Sequence, residues 1–241
     1  MINKIIIAAA GRGTRMGDLA EDQPKHLIPI LGKPFIYYLL QNIKEAGFTE
    51  IYLVVGHLKE QFGEFAKEYQ DEFDIHPIDQ IEKMGSEKYG SALPVMATET
   101  EIAGEDFVYL MGDNLYSVED LKLAREKEVN TLFVMETNCP AKYSDTKVDE
   151  KDNFVEFVVD REAPPAPACG NSGLYVFEAS IFDLLHSLEK DPINKEFTIT
   201  HLFAKIRQKD GLKVVRLVGD WLDFGCPEDV PKLENYIENK G

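Results

Sequence analysis

The sequence predicts an α/β domain in which helices flank a mixed, mostly parallel sheet that carries a small antiparallel hairpin. Three observations support this fold class. The apolar run at residues 5–7 leads directly into a loop that contains glycine. Strand-like and helix-like segments then alternate as far as Thr137, which is the pattern of parallel α/β sheets. Beyond that point, residues 147–159 alternate around a polar turn and indicate the hairpin.

The first strand ends at a loop suited to bind phosphate groups. Residues 5–7 are all isoleucine, and no polar residue interrupts them, as in a strand buried on both faces. After Ala10, Gly11 and Gly13 permit backbone conformations and close approaches that a Cβ atom would prevent. The backbone N–H groups of such a loop can converge on an anion. The loop is therefore a candidate cradle for a polyphosphate.

Two cations follow these glycines. Arg15 comes directly after Thr14, and Lys25 forms a Pro-Lys pair with Pro24. Their guanidinium and ammonium groups supply the countercharge that a polyphosphate requires. Pro24 also indicates that the loop does not run straight into a helix.

Two better-known phosphate loops are excluded. The Walker loop requires G-x-x-x-x-G-K-[ST], and no Lys-Ser or Lys-Thr pair follows these glycines. The dinucleotide motif requires G-x-G-x-x-G, but Met16 occupies the third glycine position and Gly17 comes one residue late.

The other elements follow from local signals. A proline at the start and a glycine past the end mark a helix over 35–46. Residues 80–89 are polar and predict a long loop, after which Ser91 is expected to cap a helix. Ser117 begins another helix, and Asn171-Ser172-Gly173 is expected to be a loop that leads into a strand. Further strands are predicted at 51–55, 73–78, 107–111, 131–137 and 213–218, and further helices at 59–69, from 196 to about 211, and up to 236.

Composition limits the class of partner. The 241 residues fit one domain, and a net charge of −17 argues against a nucleic-acid polymer, whose phosphates need clustered cations. A small anion is not excluded, because local Arg and Lys side chains decide its binding. No apolar run of 18 residues and no signal-type segment occur, so we expect a cytoplasmic protein with no membrane partner. Three cysteines without CxxC spacing are interpreted as reduced thiols; they are Cys139, Cys169 and Cys226.

Several motifs together resemble the sugar-1-phosphate nucleotidylyltransferase family. They are G-R-G-T-R at 11–15, P-K at 24–25, L-I-P-I at 27–30, G-K-P at 32–34, G-D-N at 112–114 and W-L-D-F-G-C-P-E-D at 221–229. In the last motif, Cys226 replaces the family's threonine. The resemblance covers nearly the whole chain. It implies a Rossmann-like nucleotide-diphospho-sugar transferase fold, with an NTP-binding half at 1–137 and an acceptor-phosphate-binding half at 138–241 in one domain. The hexapeptide repeats of the left-handed β-helix domain in some relatives are missing from the sequence.

The resemblance implies the activity and the residues that carry it. Such an enzyme transfers a nucleotidyl group from an NTP to a sugar 1-phosphate, releases pyrophosphate and depends on Mg²⁺. Arg15, Lys25 and Asp113 would be catalytic, with Gln80 in a loop that reads the base. The implied nucleotide contacts are Ala10, Gly11, Gly13, Thr14, Arg15, Lys25, Gln80, Gly90, Ser91 and Asp113.

Acceptor and metal residues are implied in the same way. The family's Glu-Lys-Pro signature is replaced by Asp160-Arg161-Glu162, so Arg161 would bind the acceptor phosphate, and could do so bidentately. Asp160, Asn171 and Gly173 complete the expected acceptor contacts. Mg²⁺ prefers oxygen ligands and takes one or two carboxylates besides substrate phosphates, which Asp113 and Asp223 would provide.

Two alternatives remain open at this point. The missing Glu-Lys-Pro and the long loop at 80–90 also fit a cytidylyltransferase that acts on a phosphorylated alcohol such as phosphocholine. The domain could instead be a regulatory module that binds nucleotide without turnover, although such a module would normally have lost a metal carboxylate or the lysine of the Pro-Lys pair. The NTP base, the acceptor and a homo-oligomeric state are also left open.

Overall fold

The computed structural model describes residues 1–137, 145–158, 168–209 and 211–240. Within these ranges the chain forms thirteen strands, of which nine make up one central sheet. Strands β1 to β13 span, in chain order, Lys4–Ala8, Pro29–Ile30, Lys33–Pro34, Glu50–Val55, Ile75–Asp79, Phe107–Met111, Asn114–Tyr116, Thr131–Thr137, Asp145–Val148, Phe154–Val158, Ala168–Phe177, Lys213–Arg216 and Trp221–Asp223.

The central sheet is mixed, as predicted. Its strands run in the order β10-β9-β11-β6-β1-β4-β5, and β8 pairs with both β11 and β12. Strands β6, β1, β4 and β5 are parallel to one another, whereas β11 is antiparallel to β6 and to β8. The predicted hairpin is confirmed by the antiparallel pair of β9 and β10.

Strand β1 lies at the centre of the parallel region and is buried on both faces. Ile5 pairs with Ile51 of β4 on one side and with Val108 of β6 on the other. Ile5 and Ile7 pack into one hydrophobic core, whereas Ile6 packs into a second core. Successive side chains of a strand point to opposite faces, so the isoleucine run joins the two cores through the sheet.

Helices cover both faces of this sheet in the described part of the chain. The first core receives residues from the helices at 35–45, 59–68 and 118–126, and the second from those at 93–97, 181–185 and 203–209. Helices α1 to α9 span Phe35–Glu45, Lys59–Glu68, Gln80–Met84, Leu93–Ala97, Glu99–Ile102, Val118–Glu126, Ile181–Leu185, Phe203–Lys209 and Val230–Lys240, and 3₁₀ turns cover Thr14–Ala20, Lys25–Leu27, Ile199–Leu202 and Pro227–Asp229.

The expected loop over 80–89 is wrong in its first half, where helix α3 forms. The carboxylate of Asp79 accepts hydrogen bonds from the backbone N–H groups of Ile81 and Glu82 at 2.9 and 3.1 Å. This N-cap starts a short helix on a segment with little apolar periodicity. Ser91 is not the cap of the next helix, since α4 begins at Leu93 and Ala92 precedes it.

The loop expected at 171–173 is also wrong, because these residues lie within the long strand β11. The pairing of β11 with β8 shifts register between Asn171 and Tyr175. Gly173 has φ +77, a left-handed conformation that permits such an irregularity. The glycine therefore marks a bulge in a strand and not the end of one.

A small two-stranded sheet brings the chain's last part to the central sheet. Strand β13 pairs with β7 in antiparallel fashion, with Asp223 opposite Asn114. The backbone N–H of Phe224 donates to the carbonyl of Asp113 at 2.8 Å. Two aspartates 110 positions apart in sequence thus meet at one edge of the molecule. Of the described helices, none combines the length and the apolar character that a membrane crossing requires.

Candidate functional site

The glycine loop leaves the end of β1 and turns through Gly13. Gly13 has φ +64, and a Cβ atom placed there would lie 3.1 Å from the Cβ of Lys25. The backbone N–H of Met16 closes the turn on the carbonyl of Gly13 at 2.9 Å, and the Met16 side chain is fully buried. This anchor leaves Gly11 and Arg15 exposed to solvent, where an anion can reach them.

Lys25 and Asp113 form an ion pair between the glycine loop and the end of β6. The ammonium group of Lys25 donates a hydrogen bond to the carboxylate of Asp113, and only 7% of Lys25 is exposed. Burial raises the pKa of Asp113, but the charge and hydrogen bond of Lys25 outweigh burial and hold that pKa below its ordinary value. Asp113 is therefore an ionised carboxylate in a largely enclosed place.

His26, next in the chain, is a buried neutral imidazole. Burial lowers its pKa to about 3, and the neighbouring Lys25 charge acts in the same direction. Its ring lies 5.9 Å from the ring of Phe62, measured between centroids. A neutral His26 adds no second positive charge beside Lys25.

A first cavity of about 220 Å³ opens between the glycine loop, the end of β6 and the segment after α3. Its lining combines apolar walls with convergent polar groups, as ligand cavities commonly do. Gln80 contributes a side-chain carbonyl oxygen that is buried and has no partner among the described residues. The lining residues are Ala8, Ala10, Gly11, Lys25, His26, Gln80, Tyr89, Gly90, Ser91, Pro94, Tyr109, Met111 and Asp113.

The turn at 89–92 is fixed by the segment around Phe197. The carbonyl of Tyr89 accepts from the N–H of Phe197, and the N–H of Ala92 donates to the carbonyl of Phe197, at 2.8 and 2.9 Å. Gly90 has φ +131, and a Cβ atom there would lie 2.2 Å from the carbonyl oxygen of Phe197. Ser91 uses its hydroxyl to accept from the N–H of Ile199 at 3.1 Å. No side chain fits at Gly90, so the close approach explains this glycine.

A second cavity of about 300 Å³ lies beside the first and shares Ser91, Met111 and Asp113 with it. A Cβ atom on Gly173 would lie 2.8 Å from the side chain of Met111, so this glycine allows β11 to pass close to the boundary. The other lining residues are Arg15, Asn114, Asn171, Ser172, Gly173, Tyr175, Ile199, Thr200, Trp221 and Asp223.

Hydrogen bonds hold the floor of the second cavity. Asn171 accepts from the backbone N–H of Gly173 and from the hydroxyl of Tyr175, both at 3.0 Å. The carbonyl of Ser172 accepts from the hydroxyl of Tyr116 at 2.9 Å and from the indole N–H of Trp221 at 3.1 Å. Trp221 therefore both packs and lines the cavity.

The structure brings together most of the residues singled out from sequence. Of the expected nucleotide contacts, seven line the first cavity: Ala10, Gly11, Lys25, Gln80, Gly90, Ser91 and Asp113. Arg15 instead lines the second cavity, with Asn171, Gly173 and Asp223. Gly13 and Thr14 line neither of these cavities but a separate one, together with His57. Asp160 and Arg161 lie outside the described residues.

Sequence reasoning missed other lining residues. Tyr109 lies in the middle of the buried strand β6, and its hydroxyl donates to the carbonyl of Ser91 at 2.6 Å. Met111 was expected only to end that strand, and Thr200 only to begin a helix. Nothing in the local pattern distinguishes these residues from core residues, because their role follows from which strand ends meet.

Comparison with known proteins identifies the class. The family model described as nucleotidyl transferase matches residues 4–240, so the chain belongs to this family. This confirms the resemblance that the motifs indicated.

The names of individual relatives are more specific than the description of the family. The chain is 28% identical over 243 residues to UTP–glucose-1-phosphate uridylyltransferase AglF of Haloferax volcanii, with 98% of this chain and 96% of that protein covered. It is 27% identical over 239 residues to bifunctional protein GlmU of Methanocaldococcus jannaschii, and there it spans 54% of the relative's length. The crystal structure of UDP-glucose pyrophosphorylase complexed with UDP-glucose has the same fold, with a TM-score of 0.80, 21% identity and full coverage of both chains.

The two glycines of the loop should respond differently to alanine. Gly13→Ala should lower the free energy of unfolding by about 1–2 kcal/mol, because φ is positive and Lys25 is crowded. Gly11→Ala should leave that free energy within about 0.5 kcal/mol of wild type, since nothing lies within 4 Å of its Cβ position. Both should weaken binding of an NTP, measured by calorimetry, because Gly11 lines the first cavity and a Cβ atom on Gly13 would press on Lys25, which also lines it. A stable Gly11→Ala protein with wild-type NTP affinity would remove this loop from the phosphate site.

His26 should make stability depend on pH. Its pKa is lowered to about 3 in the folded chain and is about 6.5 in the unfolded chain, so below pH 6.5 the unfolded state binds the extra proton. Relative to His26→Gln, wild type should lose stability as the pH falls below 6.5, with a slope that approaches about 1.4 kcal/mol per pH unit near pH 5. Urea unfolding at several pH values measures this loss. The matched control is His76→Gln, at an exposed histidine. If the free energy of unfolding of wild type and of His26→Gln changed with pH in parallel, a buried neutral imidazole would be contradicted.

Proposed function

We propose that this protein transfers a nucleotidyl group from an NTP to a sugar 1-phosphate, releasing pyrophosphate and forming an NDP-sugar. One observation carries the proposal: two neighbouring cavities meet at Asp113, and Lys25 pairs with that carboxylate. A transfer between two phosphate-bearing substrates needs two pockets that share the reacting centre. The family and the named activity of AglF supply the reaction class.

The first cavity suits the nucleotide. Gly11 lies on the cavity wall with open space at its Cβ position, which lets a phosphate approach the backbone closely. Lys25 would neutralise the α-phosphoryl oxygens. Gln80 would face the base, because its buried carbonyl oxygen has no partner among the described residues and a base N–H group can donate to it.

The second cavity suits the acceptor. Asn171 and Thr200 offer polar groups to this cavity, and Asp223 offers a carboxylate. Arg15 lies at this cavity, so its guanidinium would serve phosphates at the boundary, including the departing pyrophosphate. We propose that Asp160 and Arg161 add the remaining acceptor contacts from their segment, with residues 1–137 binding the NTP and 138–241 the acceptor.

The chemistry requires alignment more than proton transfer. An oxygen of the acceptor phosphate attacks the α-phosphorus, a new P–O bond forms, and the bond to the β-phosphate oxygen breaks as pyrophosphate leaves. The second pKa of a phosphate monoester is about 6, so the nucleophile is already ionised at pH 7 and needs no general base. This chain's contribution is to hold the two substrates in line and to neutralise charge with Lys25 and Arg15.

The carboxylates of this site fit Mg²⁺ only when substrate phosphates supply further ligands. Asp113 and Asp223 line the same cavity, but no group of three or more His, Cys, Asp or Glu among the described residues forms a metal cage. Mg²⁺ commonly takes one or two carboxylates and completes its shell with phosphates and water. We propose that these two aspartates hold the ion together with the NTP, where it would neutralise charge on the α-phosphoryl group.

Pyrophosphate release tests the function directly. We expect release when one of UTP, dTTP, CTP, GTP or ATP is combined with a sugar 1-phosphate such as glucose 1-phosphate, in the presence of Mg²⁺. The same panel includes phosphocholine, on which release with CTP would favour the cytidylyltransferase alternative. Release with no pair, together with measurable NTP binding, would favour a regulatory module.

Substituting the two aspartates tests whether they form one metal site. Asp113→Asn and Asp223→Asn should each lower kcat by about 10²–10³-fold, and the double variant should be little worse than either, as for residues that act as a unit. The matched control is Asp183→Asn, an exposed aspartate on α7. The measurement is a double-mutant cycle with Mg²⁺ titrated at saturating NTP. Additive losses, or an unchanged magnesium requirement in Asp223→Asn, would show that the two carboxylates act separately.

A further inference from the structure

Tyr89 is a large aromatic side chain left outside the core at the mouth of the first cavity. It is 47% exposed, and residues 85–88 before it are exposed as well. Its backbone is fixed, because its carbonyl accepts from the N–H of Phe197. Tyr89 lines the first cavity together with Gly90 and Gln80. An exposed aromatic ring on a cavity wall is the kind of surface that ligands use.

Arg12 holds this ring from the glycine loop. Its guanidinium donates a hydrogen bond to the hydroxyl of Tyr89 at 2.6 Å and lies 5.2 Å from the centroid of the ring. Among the described residues no carboxylate forms a salt bridge with Arg12. The pair joins the glycine loop to the loop at 85–91, which bound the first cavity from two sides.

We propose that Tyr89 is a contact for the nucleoside part of the NTP and that Arg12 is its positioning residue. We define the two side chains as the Arg12–Tyr89 clasp. The clasp rests on the proposed function, because it concerns which part of the NTP the first cavity recognises. A base has a flat apolar face that packs on an aromatic ring, and a ring already held in place loses less side-chain entropy when the ligand binds.

The alternative role for Arg12 is direct phosphate binding, since it lies between Gly11 and Gly13. The two roles differ in the part of the ligand whose binding depends on Arg12. A residue that binds phosphate directly affects the affinity for any polyphosphate. A residue that positions Tyr89 affects the affinity only for ligands that carry a nucleoside, and only while Tyr89 is present.

Calorimetry separates these roles with three probes, which are UTP, UMP and inorganic tripolyphosphate. If the pyrophosphate-release assay prefers another base, the nucleotides with that base replace UTP and UMP. Tyr89→Ala should weaken UMP and UTP binding about 10-fold or more and leave tripolyphosphate unchanged. Arg12→Ala should weaken UMP and UTP about three- to tenfold, again without effect on tripolyphosphate. In the Tyr89→Ala background, Arg12→Ala should add no further loss. Kinetically, KM for the NTP should rise while kcat changes little.

Control variants separate the clasp from general effects. Tyr89→Phe retains the ring and should lose only the share that depends on the hydrogen bond from Arg12, so Arg12→Ala should cost less in this background than in wild type. Lys240 lies 4.8 Å from the ring of Tyr236 in a comparable cation–tyrosine pair on helix α9, and Lys240→Ala should leave all three affinities unchanged. Arg12 and Tyr89 are both exposed, so thermal unfolding should stay at the wild-type temperature.

Two results would overturn the clasp. One is a loss of tripolyphosphate affinity in Arg12→Ala that persists in the Tyr89→Ala background, which would make Arg12 a phosphate ligand. The other is wild-type UMP and UTP affinity in Tyr89→Ala. Failure of wild type to bind any NTP would instead refute the proposed function, so the two failures are distinguishable.

Discussion

The ion pair between Lys25 and Asp113 is the interaction on which the rest of the site depends. Lys25 follows the glycine loop, and Asp113 follows strand β6, so the pair joins two loops that are distant in sequence. Because Lys25 is almost fully buried, its charge needs a partner, and Asp113 remains ionised because that charge is close. The pair lies where the two cavities meet, and there it places a cation and an anion side by side.

Sheet geometry brings these loops together. Strands β1 and β6 are parallel neighbours, so their carboxyl ends lie side by side at the edge where open α/β sheets bind ligands. The N–H of Gly112 donates to the carbonyl of Ala8 at 3.0 Å, and a Cβ atom on Gly112 would lie 2.7 Å from that oxygen. The glycine in the Gly-Asp pair is therefore required by close backbone packing, and it sets Asp113 beside the glycine loop.

The two halves of the chain share the site because backbone hydrogen bonds join them. The turn at 89–92 pairs with the segment around Phe197, and β13 pairs with β7. Ser91 lies at both cavities and also accepts from Ile199. A displacement of either segment would therefore be felt in both cavities, which suits a reaction that needs two substrates in line.

The sequence by itself determined the fold class, the first strand and the glycine loop that follows it, because these depend on local patterns. An isoleucine run buried on both faces, glycines before two cations, and an aspartate after a strand are recognisable without a partner segment. It did not reveal helix α3, the bulge at Gly173, or the place of Arg15 at the second cavity. Helix α3 has a local cause, since Asp79 accepts from the N–H groups of Ile81 and Glu82 directly after it. The other two depend on which segments meet: the bulge sets Gly173 against Met111 of β6, and Arg15 lies at a cavity whose lining includes residues of β11 and β13. Ser91 likewise accepts from Ile199 instead of capping α4. Tertiary contacts between residues far apart in sequence decided these features, since a hydrogen bond or a close approach exists only after both segments are in place.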